Sequence, residues 1–403
     1  MVVFTKAREK LMRIIADHKI PLLEETFGRF GEVRRLASTD LKPSAIKNAD
    51  ALLVRSETRV DADLLQSARV RFVGSPTIGV DHIDLPFLRR AEIGFSNAPG
   101  CNARSVVEYV LTALCNLAHS QGESLIGRTL GVVGVGNIGS RLARDATRLG
   151  LRVLLNDPPR QREEGGTKFL AIEDLLDCDF LSLHVPLTRG SQDPTHHLFD
   201  QDQIGRMKAR ATLINTSRGA VVDNRALTRA LESHQIARAV LDVWEGEPQP
   251  QVDLIRLATI ATPHIAGYSS DGKLRGTWMV FQQFCRHFEL DAESIELPQL
   301  SPPRTPVIAA GSLGPGAGAS AEWCIQDAIQ RAYPILRDDA RLRETLAVEE
   351  SARAHYFRSL RANYPPRREF AAFQLGAEFP SRARQLLTSL GFKDSGSSGS
   401  ERA

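Results

Sequence analysis

Apolar residues in this chain fall into two alternating rhythms. Short unbroken runs bounded by turn residues read as strands buried on both faces, and stretches with apolar residues three and four apart read as amphipathic helices. In the first hundred residues the runs are MRIIAD (12–17), ALLVRS (51–56), RFVGSPT (71–77) and IGFSNAP (93–99). Between them PLLEETFGRFG (21–31), DADLLQSA (61–68) and LPFLRRA (85–91) carry helical spacing. This alternation predicts a small parallel α/β domain. A long helix follows from Asn102, its apolar face marked by Val106, Val110, Leu114 and Leu117, and carries the chain to a second domain. There LGVVGVG (130–136) and LRVLLND (151–157), then FLSLHVPL (180–187), ATLINTSRG (211–219), ARAVLDVWEGEP (237–248) and ATIATPHIAG (258–267), predict a larger doubly wound parallel sheet.

Farther along, a helix is expected from Asp271 to about Leu290, then a Pro- and Gly-rich linker over 294–320. The last hundred residues pattern as helices over 321–336 and 341–357 and a strand near 370–375, with a low-complexity tail over 393–403. PPRQREEGG (158–166) reads as a polar loop, and residues 1–11 as a frayed extension ahead of a natural start at Met12.

The segment Leu130–Asp157 organises the rest. Its order is strand, Gly134-x-Gly136-x-x-Gly139, helix, strand, acid, which is that of a dinucleotide-binding unit. Gly134 allows the tight turn, Gly136 lets backbone approach a pyrophosphate, and Gly139 lets helix and strand pack closely. The helix starting near Asn137 and Ile138 aims free N–H groups at the phosphates. Asp157 accepts from the ribose hydroxyls and repels a 2′-phosphate, which favours NAD over NADP.

Composition narrows the class. The chain has 403 residues, 42% hydrophobic, with a net charge of only +3 and dispersed Lys and Arg. It is too long for one core, so two or three domains are expected. Nothing points to nucleic acid or membrane, and a cytoplasmic enzyme is the expectation. Five scattered cysteines, none in a CxxC pair, read as reduced buried thiols with no metal site.

Candidate chemistry stands at the predicted strand ends, which parallel sheets bring to one edge. Arg218 offers a rigid fork for a carboxylate. His264 exchanges a proton near neutral pH. Glu247, meeting the other imidazole nitrogen, would fix the tautomer and favour the protonated ring. Ser56 and Thr77 follow strands of the first domain, where they bind ligand or cap the next helix.

The run SRGAVVDNRALTRALESHQIARAVLDVWEGEP with TPHIAG resembles the signature of the D-isomer-specific 2-hydroxyacid dehydrogenases. The resemblance implies two Rossmann-like doubly wound parallel-sheet domains, a substrate-binding one and an NAD-binding one. It makes Arg218, Glu247 and His264 the catalytic residues and NAD the cofactor. Further motifs (FVGSPTIGVDHID, GFSNAPGCNARSVVEYV, TPHIAGYSSDGKLRGT) are similar to a branch of the family that oxidises a small phosphorylated 2-hydroxy acid. That branch carries an extra C-terminal α+β dimerisation domain, which implies a homodimer.

The implied boundaries are 12–101 and 269–295 for the substrate-binding domain, 102–268 for the NAD-binding domain and 296–392 for the dimerisation domain. Carried over by position, substrate contacts fall on Ser56, Thr77 and Tyr268. Cofactor contacts fall on Gly134, Gly136, Asn137, Ile138, Gly139, Asp157, Thr216, Ser217, Arg218, Asp242 and Gly267. Two positions depart from the pattern: Val185 stands where a cofactor-contacting threonine is expected, and Ser217 where a cysteine is expected. For the substrate phosphate the candidates are Arg55, Ser56 and Thr77, or Arg337 or Arg341 reaching in from a partner subunit. The site is expected between two domains that close on substrate. Rival readings are another D-2-hydroxyacid dehydrogenase, such as one acting on 3-phosphoglycerate, and a non-catalytic NAD-sensing protein.

Overall fold

The computed structural model describes residues 11–291, 306–309 and 320–394. The expected N-terminal extension, most of the Pro- and Gly-rich linker and nearly all of the tail lie outside the described residues. The chain divides into two compact units. One contains the residues up to Asn102 together with Ser270–Ser301, and the other Ala103–Ser269 together with Pro302–Ala403.

The first unit is built on five parallel strands: β1 (Met12–Asp17), β2 (Gly31–Leu36), β3 (Ala51–Leu53), β4 (Phe72–Ser75) and β5 (Gly94–Asn97). They lie in the order β2-β1-β3-β4-β5. The helix Ser270–His287 returns to cover the sheet, and its Phe281 and Phe284 meet the Phe27 ring edge-on at 5.2 and 5.1 Å. Gly74 is a glycine because a Cβ there would press on Val280 of that helix at 2.5 Å. The helix expected over 21–31 is instead a series of turns ending in a 3-10 turn, Phe27–Arg29. Leu22 sits in the left-handed region at φ 58°, which interrupts helical winding at its start. Leu23 and Phe27 still reach the core.

The second unit holds six parallel strands: β6 (Thr129–Val133), β7 (Arg152–Asn156), β8 (Phe180–Leu183), β9 (Thr212–Asn215), β10 (Arg238–Leu241) and β11 (Ile260–Ala261). Their order is β11-β10-β9-β8-β6-β7, so the winding direction reverses between β6 and β8. Ligands of open α/β sheets bind beyond the carboxyl ends of the strands at such a reversal. Strands β6, β8 and β9 are buried, as their unbroken apolar runs predict, while β7 at the sheet edge is partly exposed. The long helix Ala103–Gln121 packs on one face. The stretch read as a polar loop after Asp157 is in fact a helix, Pro158–Glu164. Asp157 caps it by accepting from Arg160 N, and proline occupies its first turn, where a missing N–H costs nothing.

The C-terminal segment comprises helices Ala321–Ala332, Ile335–Arg343, Glu350–Ala362 and Ser381–Ser389, with a two-residue parallel pair of β12 (Val307–Ile308) and β13 (Gln374–Leu375). Pro334 breaks the helix expected over 321–336, and extended backbone at Val348–Glu349 divides the one expected over 341–357. The strand expected near 370–375 is a 3-10 turn followed by β13. With so little sheet, this segment makes no separate core. Cys324, Ile325, Ala328, Ile329 and Ile335 share one apolar cluster with Val106, Val110 and Leu114. It therefore forms one compact unit with the six-stranded domain.

All five cysteines are buried and unbridged. No described helix is long and apolar enough to cross a membrane.

Candidate active site

The glycine loop after β6 has the three properties that its sequence implies. Gly134 adopts φ +87°, and a Cβ there would meet the His184 carbonyl and Val185 beyond β8. A Cβ on Gly139 would overlap the Gly134 carbonyl, so helix and loop touch there without room for any side chain. At Gly136 the same test meets nothing within 4 Å. That open face lies at the N-terminus of the helix Gly139–Arg148, which no side chain caps. Uncapped N–H groups beside open space suit a pyrophosphate. Asp157, expected to bind the ribose, stands alongside with its Oδ2 accepting from Val135 N at 2.8 Å.

Beyond β8 and β9 the edge continues. Burial pushes His184 down to about 3, so its ring is neutral between Ser182 Oγ (2.9 Å) and Thr216 Oγ1 (3.4 Å). Thr216 and Ser217 are buried, and the amide and hydroxyl of Ser217 both donate to Asn215 Oδ1. Val185, where a threonine is expected, packs against the Gly134 turn and the core. Arg218 follows, half-buried, donating to its neighbour's carbonyl Ser217 O at 2.9 Å. Gly219 pins this loop to the next one, since a Cβ there would overlap the Trp244 carbonyl.

His264 and Glu247 come together. The imidazole Nδ1 lies 2.7 Å from Glu247 Oε2, while Glu247 Oε1 accepts from Trp244 N at 2.8 Å. With Nδ1 engaged, Nε2 is the nitrogen left for substrate. Burial would raise the Glu247 carboxyl, but the charge and hydrogen bond of His264, the Trp244 amide and the charge of Arg361 outweigh it and hold it below its usual value. His264 itself sits at φ 59°, a left-handed conformation uncommon for this residue type and held by its surroundings.

Those surroundings are extensive. Asp242, expected as a cofactor contact, is fully buried and accepts from Thr262 Oγ1 (2.6 Å), Ile265 N (2.8 Å) and Ala266 N (2.9 Å). It therefore shapes the turn that carries His264. Because Thr262 spends its proton on Asp242, Tyr109 donates to Thr262 at 2.7 Å from the long helix. Ser105, one turn earlier on that helix, donates to Ala266 O at 2.8 Å.

The C-terminal segment reaches the same turn, which the sequence reading missed. Arg367, buried, donates to Ala266 O at 2.7 Å and covers the Tyr333 ring at 4.2 Å. Ser269 donates to Glu369 at 2.8 Å. Tyr364 meets Tyr268 edge-on at 5.9 Å, and Arg361 donates to the Tyr268 hydroxyl at 3.1 Å. Arg337 and Arg341, expected to reach a substrate phosphate from a partner subunit, are exposed on the helix Ile335–Arg343. The only local hint is the density of aromatic and basic residues in RSLRANYPPRREF (358–370).

In the first unit, Ser56 is exposed beyond β3 and Thr77 half-buried beyond β4. Neither caps a helix: Thr77 Oγ1 bonds Ser75 Oγ at 2.8 Å and Gly79 O at 3.1 Å. Among the described residues one group has metal-ligand chemistry, His196, His197 and Glu245. Its two rings stack at 4.0 Å with planes 23° apart, so their lone pairs do not converge on one ion. His197 Nε2 bonds Glu245 at 2.7 Å instead.

Comparison with known proteins agrees with this geometry. Residues 108–266 match the NAD-binding domain of the D-isomer specific 2-hydroxyacid dehydrogenases, and residues 309–391 match a domain of unknown function. The chain is 49% identical to an erythronate-4-phosphate dehydrogenase of Azotobacter vinelandii, over 94% of this chain and 99% of that one. It is 46% identical to the protein of that name from Pseudomonas syringae pv. tomato, with the same coverage. A D-lactate dehydrogenase from Aquifex aeolicus, solved with NAD and lactic acid, superimposes with a TM-score of 0.58 at 26% identity, covering 70% of this chain and 97% of that one. The chain belongs to the D-isomer specific 2-hydroxyacid dehydrogenase family.

Proposed function

We propose that this protein oxidises 4-phospho-D-erythronate at C2 to (R)-3-hydroxy-2-oxo-4-phosphooxybutanoate, with NAD as oxidant, in the synthesis of pyridoxal 5′-phosphate. The observation that carries the chemistry is the His264–Glu247 pair at the carboxyl edge of the six-stranded sheet, on a turn over-determined by Asp242 and Ser105. The substrate comes from the names of the relatives that share almost the whole chain.

His264 Nε2 takes the C2 hydroxyl proton while the C2–H electron pair departs as hydride. NAD, held by Gly134, Gly136, Asn137, Ile138, Gly139 and Asp157, supplies the hydride acceptor when bound. Glu247 stabilises the imidazolium that results, through its ionised Oε2. Arg218 holds the C1 carboxylate and polarises the oxygen becoming a carbonyl. Thr216, Ser217 and Gly267 line the cofactor, and Ser56, Thr77 and Tyr268 touch the substrate. In the same reading the protein works as a homodimer through its C-terminal domain, which light scattering would test.

The test is NADH formation from 4-phosphoerythronate set beside erythronate and 3-phosphoglycerate. A clear preference for the first, abolished in His264→Ala, supports the reading. Equal rates on all three leave a 2-hydroxyacid dehydrogenase of another specificity. Bound NAD with no turnover on any of them leaves a sensing protein.

A further inference from the structure

A phosphorylated substrate carries two anionic ends, and Arg218 answers only one of them. A further guanidinium stands near His264, on the C-terminal segment of the same chain. In the helix Glu350–Ala362, Phe357 is fully buried and packs into the core of the six-stranded domain. Arg361 lies one turn farther on the same face, so docking Phe357 fixes where the guanidinium arrives. It arrives at Tyr268, four residues past His264: the guanidinium carbon lies 5.7 Å from the ring centre, and Nη2 donates to the hydroxyl at 3.1 Å.

Its own hydrogen bonding is incomplete. Arg361 Nε is buried and has no partner among the described residues. The carboxylates whose charge it feels, Glu247 and Asp242, are already committed: Glu247 to His264 and Trp244, Asp242 to Thr262, Ile265 and Ala266. A largely buried guanidinium with an orphaned donor and no contacting carboxylate is a costly arrangement unless an anion completes it. Its planar fork fits a phosphoryl group through paired N–H bonds.

We infer that Arg361, steadied by Tyr268, is the intramolecular receptor for the substrate phosphate. The inference rests on the proposed oxidation of a phosphorylated 2-hydroxy acid. It turns the C-terminal segment into part of the substrate site of its own chain.

The test compares the full-length wild-type protein with Arg361→Met, Arg361→Lys and, as a rival assignment, Arg55→Met. Wild type that does not oxidise 4-phosphoerythronate refutes the underlying reading, whatever the variants do. With wild type active, the inference predicts that Arg361→Met lowers the preference (kcat/KM) for 4-phosphoerythronate over erythronate by about 30-fold or more, mainly through KM. Arg361→Lys recovers part of that loss. Competitive inhibition by inorganic phosphate weakens in parallel. An unchanged preference overturns the inference, as does its loss in Arg55→Met alone. So does an equal fall in kcat on both substrates, which would make Arg361 only a positioning residue for Tyr268. Should both Arg361 variants fail to fold, a crystal structure of the wild type with substrate decides. A phosphoryl group within hydrogen-bond distance of Arg361 supports the inference, and one held elsewhere overturns it.

Discussion

Replacing Glu247 by glutamine isolates one charge in a site whose hydrogen bonds are otherwise accounted for. Two donors converge on this side chain, Trp244 N on Oε1 at 2.8 Å and His264 Nδ1 on Oε2 at 2.7 Å. A carboxylate accepts both, but an amide has one acceptor oxygen, so the variant must turn an NH2 group toward one of its donors. The larger loss falls on the imidazolium formed as hydride leaves. With the two charges spread over their groups and centred about 4 Å apart, an effective dielectric constant of about 20 makes the attraction roughly 4 kcal/mol. Solvent reaches both partners, with side-chain exposures of 33% for His264 and 21% for Glu247, which screens part of it. About 3 kcal/mol remains, and at ~1.4 kcal/mol per decade the chemical step slows roughly a hundredfold. Single-turnover stopped flow on NADH fluorescence, with C2-deuterated substrate to identify the hydride step, measures it. Hydride transfer within threefold of wild type, or a loss confined to KM, would refute the role given to Glu247.

Further expectations concern neighbouring features. His264→Ala should slow the chemical step by about 10²- to 10⁴-fold, while His264→Asn, better suited to φ 59°, should lose as much activity with a smaller drop in Tm than alanine. Gly136→Val should fill the open face and weaken NAD binding at nearly unchanged thermal stability, whereas Gly139→Ala should destabilise the domain itself because its Cβ overlaps Gly134; calorimetry with and without NAD separates the two. The carboxyl of Glu247 is held below its unfolded value, so its stabilisation is fully present above about pH 4.5 and is lost as pH falls through the folded value. Wild type should therefore lose more Tm than Glu247→Gln between pH 6 and pH 4, and parallel curves would contradict this.

Much of the site is readable in the sequence because its parts depend on local backbone geometry. The roles of Gly134 and Gly139 are steric, and they hold in any chain that turns from strand to helix at that spacing. Arg218, Glu247 and His264 follow successive strands, and parallel pairing in the order β9-β10-β11 leaves their ends nowhere to go but one edge. The acid after β7 is legible for the same reason. The helix it caps, Pro158–Glu164, has its start signal in the Asp-Pro-Pro order, but its polar residues give no apolar face to mark it as a helix.

What tertiary structure alone decided is long-range. Periodicity in PLLEETFGRFG promised a helix, but the left-handed Leu22 and the packing of Phe27 under Phe281 and Phe284 make turns of it. No spacing rule tells that Asp242 would be spent on the His264 turn, or that Arg361 would meet Tyr268 across 93 residues of chain. Sequence specifies which residues want burial and which carry charge. It does not specify which partner each will find, because that choice belongs to the packing of whole elements: Phe357 had to enter the core of the six-stranded domain before Arg361 could stand beside the His264 turn.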